Sequence, residues 1–574
     1  MDWESIGNFT LYFSLKTINI AIIFSMKSTL QIFCTISLLT VQNCLLEAQN
    51  KPESIGSAVN TEYSELNPVM SPDGKVLYFG RKNHPQNKFG MAGTEQISGS
   101  QDIWYSESLM GAWTTARRMS ESLNRDQYNT IYSVSPDGQT ILVKGAYVNG
   151  QYETRGFSIA KKSATGWDVP KKMEIPKYEK LSRGKNEYGY LSNDGKTILM
   201  AFSEKKNSDE DDIYASFLEK DGSWSEPMNL GDDVNTNFTE TTPFLAADGK
   251  TLYFSSNREG GKGSNDIWVC KRKDETWIHW TEPTNIGEPI NTDQYDAYYT
   301  ISAAGDYAYF ISSNNSLGKK DIFRLKIDQP KPVETPPTTT TPLAGGEKKP
   351  IPEKPKDIKS EPVVLVSGKV IDGKTGKVPK NAQIIYEDLT NGKELGVATP
   401  DPITGIYKVV LPYGKNYGIT TKIEGYIGTS QNIDLSKITG KYLEIEDKDM
   451  TVTPAASVEV GTKISMNNIF FEFGKATLRL ESYPELNRLS TFFKGNAKML
   501  TEISGHTDNV GSDEVNNKLS QERADVVRNY LLTQGVSAER LTAKGYGKNK
   551  PKVANDTPEN QAINRRVEFE ILKN

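Results

Sequence analysis

Short apolar runs set apart by polar, glycine-rich turns fill the chain between Ile55 and Ile327. Val76-Leu77-Tyr78-Phe79, Thr140-Ile141-Leu142-Val143, Thr197-Ile198-Leu199-Met200, Thr251-Leu252-Tyr253-Phe254 and Tyr307-Ala308-Tyr309-Phe310 are too short for core helices. Rich in β-branched and aromatic residues, each reads as a buried strand. Each follows a turn: Ser71-Pro72-Asp73-Gly74, Ser135-Pro136-Asp137-Gly138, Ser192-Asn193-Asp194-Gly195, Ala246-Ala247-Asp248-Gly249 and the degenerate Ser302-Ala303-Ala304-Gly305. Asp-Gly between two apolar runs signals a hairpin, because both residues tolerate the positive φ of a tight turn. A third strand follows at Asp102-Ile103-Trp104, Asp212-Ile213-Tyr214, Asp266-Ile267-Trp268 and Asp321-Ile322-Phe323, and a fourth is marked by Trp113, Trp167, Trp224 or Trp277.

Four strands per unit, with Asp73, Asp137, Asp194 and Asp248 spaced 64, 57 and 54 residues apart, predict an all-β propeller over residues 55–327. Five units predict five blades, or six if one is too degenerate to recognise. The opening Ile55-Gly56-Ser57-Ala58-Val59-Asn60 matches Leu230-Gly231-Asp232-Asp233-Val234-Asn235 and Ile286-Gly287-Glu288-Pro289-Ile290-Asn291. The N-terminal strand is therefore expected to complete the last blade and remove its exposed edge.

Residues 328–362 lose this pattern, being dense in Pro, Thr, Lys and Glu, and read as an extended tether of up to roughly 100 Å at about 3.1 Å per residue. Alternation returns over 363–452, in Val364-Leu365-Val366, Ala382-Gln383-Ile384-Ile385-Tyr386 and Ile406-Tyr407-Lys408-Val409-Val410-Leu411, and predicts a small β-sandwich. Over 460–574 the period becomes mixed. Ile503-Ser504-Gly505-His506-Thr507-Asp508 reads as a strand ending in a polar turn, and Leu519, Val526, Val527, Tyr530 and Leu531 recur at helical spacing. An α/β domain of βαβαβ type with a mixed sheet is expected there.

The first 48 residues differ from the rest. Met26-Lys27 followed by the apolar Leu30–Leu46 has the basic start and apolar middle of a signal peptide, with Ala48 offering cleavage before Gln49. Asp2 and Glu4 make Met1 a poor start, so translation is expected to begin at Met26. Asn43 stands where a lipoprotein signal wants a small residue, which weighs against lipidation at Cys44. Cleavage would leave Cys270 without a disulfide partner.

At 574 residues the chain is too long for one core. Its 68 basic and 73 acidic side chains nearly balance, which argues against a nucleic-acid partner. The three histidines, His84, His279 and His506, are scattered, and no Ser-His-Asp set, paired-carboxylate spacing or cofactor motif is recognisable. The expectation is a protein without cofactor or enzymatic activity. The second reading is an envelope enzyme acting on wall glycans or peptides. His506 is expected to make a loop hydrogen bond, and Asp209-Glu210-Asp211-Asp212 to form a solvated turn.

Arg523 is four residues from both Leu519 and Val527, at the edge of the apolar stripe, where an arginine either snorkels or holds an anion. Asp508, at the strand end, reaches it if the helix packs back on the strand. A carboxylate beside a guanidinium suits a zwitterion.

Five ordered blocks carry a resemblance: Phe471-Glu472-Phe473-Gly474-Lys475-Ala476-Thr477-Leu478, Gly505-His506-Thr507-Asp508, Leu519-Ser520-x-x-Arg523-Ala524, Gly545-Tyr546-Gly547 and Asn564-Arg565-Arg566-Val567-Glu568. Over about 110 residues they resemble the OmpA-like C-terminal domain of outer-membrane proteins and Pal-type lipoproteins. That resemblance implies peptidoglycan binding, with Asp508 and Arg523 clasping diaminopimelate of the stem peptide and Asn564 and Arg566 as lesser contributors. The repeats resemble the WD40-like PD40 units of TolB-type propellers, and residues 363–452 resemble the carboxypeptidase-regulatory-like domain. The domain order resembles Bacteroidetes envelope proteins that include the PorE component of type IX secretion, although the helical TPR segment usual there is not visible. Together these imply a periplasmic scaffold at the outer membrane and cell wall, with a protein partner at the propeller.

Overall fold

The structure is a computed structural model that describes residues 51–88, 99–109, 111–327, 360–437 and 440–574, and the backbone of a strand pair at Phe9–Leu15 and Ile18–Phe24. The expected start at Met26, Cys44, the cleavage site and tether residues 328–359 lie outside the described residues.

Five antiparallel sheets follow one another from Glu53 to Lys326. Their first strands are Ser64–Met70, Ile131–Val134, Tyr188–Leu191, Glu240–Leu245 and Ala297–Ile301. These five contact one another in a closed cycle, the fifth against the first. Glu53–Ser54 pairs with Asp321–Lys326 and supplies the outer strand of the fifth sheet. The repeated asparagines explain the spacing. Asn60, Asn235 and Asn291 each donate Nδ2 to, and accept the N–H of, the isoleucine of a third strand: Ile322 (2.8 and 3.1 Å), Ile213 (2.9 and 2.7 Å) and Ile267 (2.9 and 2.8 Å). One side chain thereby engages both backbone groups of a buried isoleucine, sharing its carbonyl with the N–H of Ile55, Leu230 or Ile286.

The turn aspartates act twice. Asp73 and Asp137 use Oδ1 to accept the N–H of Lys75 and Gln139 within their own turns. Their Oδ2 atoms face the second body, residues 363–454: Lys408 Nζ donates to Asp73, and the Thr399 N–H to Asp137 at 2.7 Å. Asp248 Oδ2 takes the Glu361 N–H at 2.8 Å. Ala303, Val363, Leu365 and Val410 form a small apolar cluster at the same contact. The second body is two sheets around one core that includes Tyr407, Tyr417, Ile384 and Ile419.

The third body joins through Arg488, which donates to Glu387 at 2.7 Å, and Asn467, which donates to the Ser430 carbonyl at 2.6 Å. Its mixed sheet runs in the order Lys463–Met466, Val567–Lys573, Leu500–Gly505, Leu541–Gly545, the last two strands parallel. Helices Tyr483–Gly495 and Asp513–Thr533 contact each other, and the longer one packs on the two parallel strands. Leu486, Leu489, Phe493, Val527, Leu531 and Phe569 are fully buried there or nearly so.

Candidate functional site

The helix that carries Arg523 starts where Ser512 accepts the Val515 N–H at 3.3 Å, with Asp513 and Glu514 in the first turn facing the positive end of the helix dipole. It lies close on the sheet because the sheet has glycines beneath it. A Cβ at Gly505 would collide with the Ser520 carbonyl, and one at Gly545 with the Gln521 backbone. This close approach sets Arg523 beside the loop that follows Gly505.

Asp508 and Arg523 line one cavity of about 790 Å³, between Phe471, Asn516, Leu519 and Arg565. They do not pair with each other. Asp508 accepts the Val510 N–H through Oδ1 at 3.0 Å and Arg565 Nη1 through Oδ2 at 2.6 Å. Arg523 is nine-tenths buried, donates Nε to the Lys475 carbonyl at 3.1 Å and lies 4.8 Å over the Phe471 ring. Its terminal nitrogens make no hydrogen bond among the described residues. Burial and the charge of Arg565 both press against its guanidinium, and Asp508 relieves that pressure. The rim is apolar: Phe473, Val510 and Val515 are exposed.

Asn564 and Arg566, expected as lesser contributors, have other work. Asn564 is fully buried; its Oδ1 accepts the N–H groups of Lys552 (2.7 Å) and Val553 (3.1 Å), and its Nδ2 donates to the Val553 carbonyl and Asn555. It braces a turn. Arg566 borders the cavity, but Nε is on Glu568 at 2.7 Å and its other nitrogens are on the Asn564 and Lys550 carbonyls. Between them, Arg565 is the residue that reaches Asp508. The sequence block held that arginine too; only its facing was hidden.

His506 also departs from expectation. Its ring nitrogens make no hydrogen bond; the imidazole is stacked on Tyr546 at 5.5 Å, with Nε2 3.6 Å from Glu568. Burial, with Arg566 nearby, pushes its pKa down to about 4. The expected solvated turn at 209–212 is solvated only at Asp209 and Glu210. Asp211 is fully buried, accepts from Asn186 Nδ2 at 3.1 Å, and is raised to about 6 by burial. Cys270 is a buried strand residue. Among the described residues no group of three or more His, Cys, Asp or Glu could hold a metal, and no helix is long and apolar enough to cross a membrane.

A mixed four-stranded sheet, a long helix laid on glycines and a cavity with a carboxylate and a guanidinium on its wall define an OmpA-type domain. Residues 470–565 match the OmpA family model. Outer membrane porin F of Pseudomonas aeruginosa is 36% identical over 145 residues, which are 25% of this chain and 40% of the porin. Peptidoglycan-binding protein ArfA of Mycobacterium bovis is 38% identical over 96 residues, 17% of this chain and 29% of that protein. The crystal structure of the peptidoglycan-associated lipoprotein from Burkholderia pseudomallei is 27% identical, covers 18% of this chain and 86% of that one, and has a TM-score of 0.17. The chain thus spans well under two thirds of the curated relatives named here.

Proposed function

We propose that the C-terminal domain anchors this protein non-covalently to peptidoglycan by clasping the amphoteric end of diaminopimelate in the stem peptide. Asp508 accepts from the side-chain ammonium, and the terminal nitrogens of Arg523 grip the adjacent carboxylate in a bidentate pair. One observation carries this reading: the two charges line one cavity, unpaired with each other, and Arg523 has its donor fork uncommitted. Of the relatives, ArfA is by name a peptidoglycan-binding protein and porin F by name an outer-membrane one, which supports the wall and the envelope location. The protein is then an envelope scaffold of the periplasm and outer membrane rather than an enzyme. Its five sheets are the blades of a propeller, a platform for an outer-membrane or periplasmic protein. The resemblance to the PorE group makes a type IX secretion component the partner to test first.

The test is co-sedimentation with purified peptidoglycan. Asp508→Ala and Arg523→Ala each leave a buried charge without its counterpart and are expected to cost a few kcal/mol of binding, enough to move the protein to the supernatant. Stem peptide containing diaminopimelate should compete; peptide with lysine in its place, lacking the second carboxylate, should not. Unchanged sedimentation of both variants sinks the proposal.

A further inference from the structure

Two of the five sheets bury an arginine in the same way. In sheet one, Arg81 donates Nε to Glu65 at 2.9 Å and Nη2 to the Val59 carbonyl, with its guanidinium 5.3 Å from the Phe79 ring and 4.3 Å from Trp104. In sheet four, Arg258 donates to Glu240 at 3.0 Å and to the Val234 carbonyl, 4.9 Å from Phe254 and 5.4 Å from Trp268. The recipe is one buried carboxylate, one carbonyl before the clamping asparagine, and two aromatic rings.

Sheet five has the recipe without the arginine. Asp296 takes the place of Glu65 and Glu240. It accepts the Thr292 N–H and Oγ1 at 2.6 and 2.9 Å, as Glu240 accepts those of Thr236 at 3.0 and 2.7 Å. Phe310 and Phe323 replace Phe254 and Trp268, and Ile290 precedes Asn291 as Val234 precedes Asn235. The strand turns alike: the Arg258 N–H donates to Ser256 Oγ at 3.1 Å, and the Asn314 N–H to Ser312 Oγ at 3.1 Å. Asn314 therefore stands where Arg258 stands, and it is exposed.

The consequence is a charge without an answer. Asp296 is fully buried and its Oδ1 has no hydrogen-bond partner. Asp266, which opens the third strand of sheet four and is also buried, has an unpartnered Oδ1 too. A cavity of about 630 Å³ opens over Thr292, the residue that donates twice to Asp296, and is lined also by Phe310, Phe323, Ser312, Asn314 and Pro289; the two aspartates are not on its wall. Of the lysines on its lining, Lys262 is held by Glu288. Lys51 is the other.

We propose that sheet five carries a receptor slot for a guanidinium, filled by an arginine side chain of a partner protein. The incoming group takes the place that Arg81 and Arg258 occupy in their own sheets: over Phe310 and Phe323, donating to Asp296 and the Ile290 carbonyl. A planar fork that stacks on aromatic faces suits this pocket, and a compact ammonium does not. Asp296 is one methylene shorter than the glutamates, so the guest reaches deeper than a resident arginine does. This site is remote from the wall-binding cavity and does not depend on that reading.

The experiment is a calorimetric titration of the full chain with Nα-acetyl-L-arginine methylamide, and with the citrulline analogue as neutral isostere. Saturable binding of the arginine probe, with the citrulline probe at least about tenfold weaker, is the expected result. Asp296→Asn should weaken the arginine probe about tenfold. Asn314→Arg supplies the missing side chain from within and should abolish probe binding while raising the melting temperature. Lys51→Ala should leave binding unchanged or tighten it. Absence of saturation by the arginine probe, equal binding of both probes, an Asn314→Arg protein that binds like the parent, or displacement of the probe by calcium alone would each overturn the slot.

Discussion

Arg565, and not Arg523, holds the Asp508 carboxylate, Nη1 to Oδ2 at 2.6 Å. The Arg565 side chain is 44% exposed, so the pair is partly screened and is worth about 1 kcal/mol or less. Asp508 remains fixed by the Val510 N–H, and Arg523 by the Lys475 carbonyl. Arg565→Ala should therefore change peptidoglycan affinity by less than about tenfold, whereas loss of Asp508 or Arg523 removes it. Quantitative co-sedimentation of the three variants side by side measures the contrast.

His506 gives the domain an acid limit. Its folded pKa of about 4 lies below the ordinary 6.5, so between those values the unfolded chain binds the extra proton. Stability contributed by the neutral ring is complete above pH 6.5 and falls as pH drops towards 4, with a slope of up to about 1.4 kcal/mol per pH unit. Thermal melts at pH 7 and pH 5 should show a larger loss for the parent than for His506→Phe, which has no proton to gain. Equal losses would remove His506 from the account.

The close helix–sheet approach makes a sharp stability prediction. Gly545→Ala forces a methyl group against the Gln521 backbone, which cannot rotate away as a side chain would. The helix must lift, at about 1–3 kcal/mol or more. Urea unfolding should detect this, and peptidoglycan binding should weaken in step because Arg523 rides on the same helix. Gly461→Ala, with no atom within 4 Å of the added carbon, tests backbone conformation alone at φ +87°.

The turn aspartates predict a breakable joint. Asp73→Asn keeps the turn acceptor but removes the charge that Lys408 Nζ engages. Combined with Asp248→Asn it should loosen the second body from the five sheets. Small-angle scattering should then report a larger radius, and protease should cut near Glu361 faster. An unchanged profile would mean that the contacts left in place, Asp137 with the Thr399 N–H, the Lys162–Asp401 and Lys196–Glu394 pairs and the apolar cluster of Ala303, Val363, Leu365 and Val410, suffice.

Much of this was legible in the sequence, for local reasons. Asp-Gly marks a turn because two residues decide it, and the structure turns at Asp73-Gly74, Asp137-Gly138, Asp194-Gly195 and Asp248-Gly249, each glycine at positive φ. The Val/Ile-Asn motif recurs because each asparagine clamps a strand through the same two hydrogen bonds. Asp508 and Arg523 were legible as a strand end and a helix edge. What stayed hidden depends on facing and on distant neighbours. Nothing within Asn564-Arg565-Arg566 says which arginine turns to Asp508. Nor does the sequence near His506 reveal that Tyr546, forty residues later, will stack on its ring. The second use of Asp73 and Asp137 was invisible because their partners lie 335 and 262 residues away.

Asn60 clamps Ile322, a partner 262 residues further along. A chain emerging from its N-terminus must therefore hold Glu53–Asn60 in waiting while every intervening sheet is made. Until then the fifth sheet has three strands and a bare border of N–H and C=O groups, open to any extended segment that arrives first.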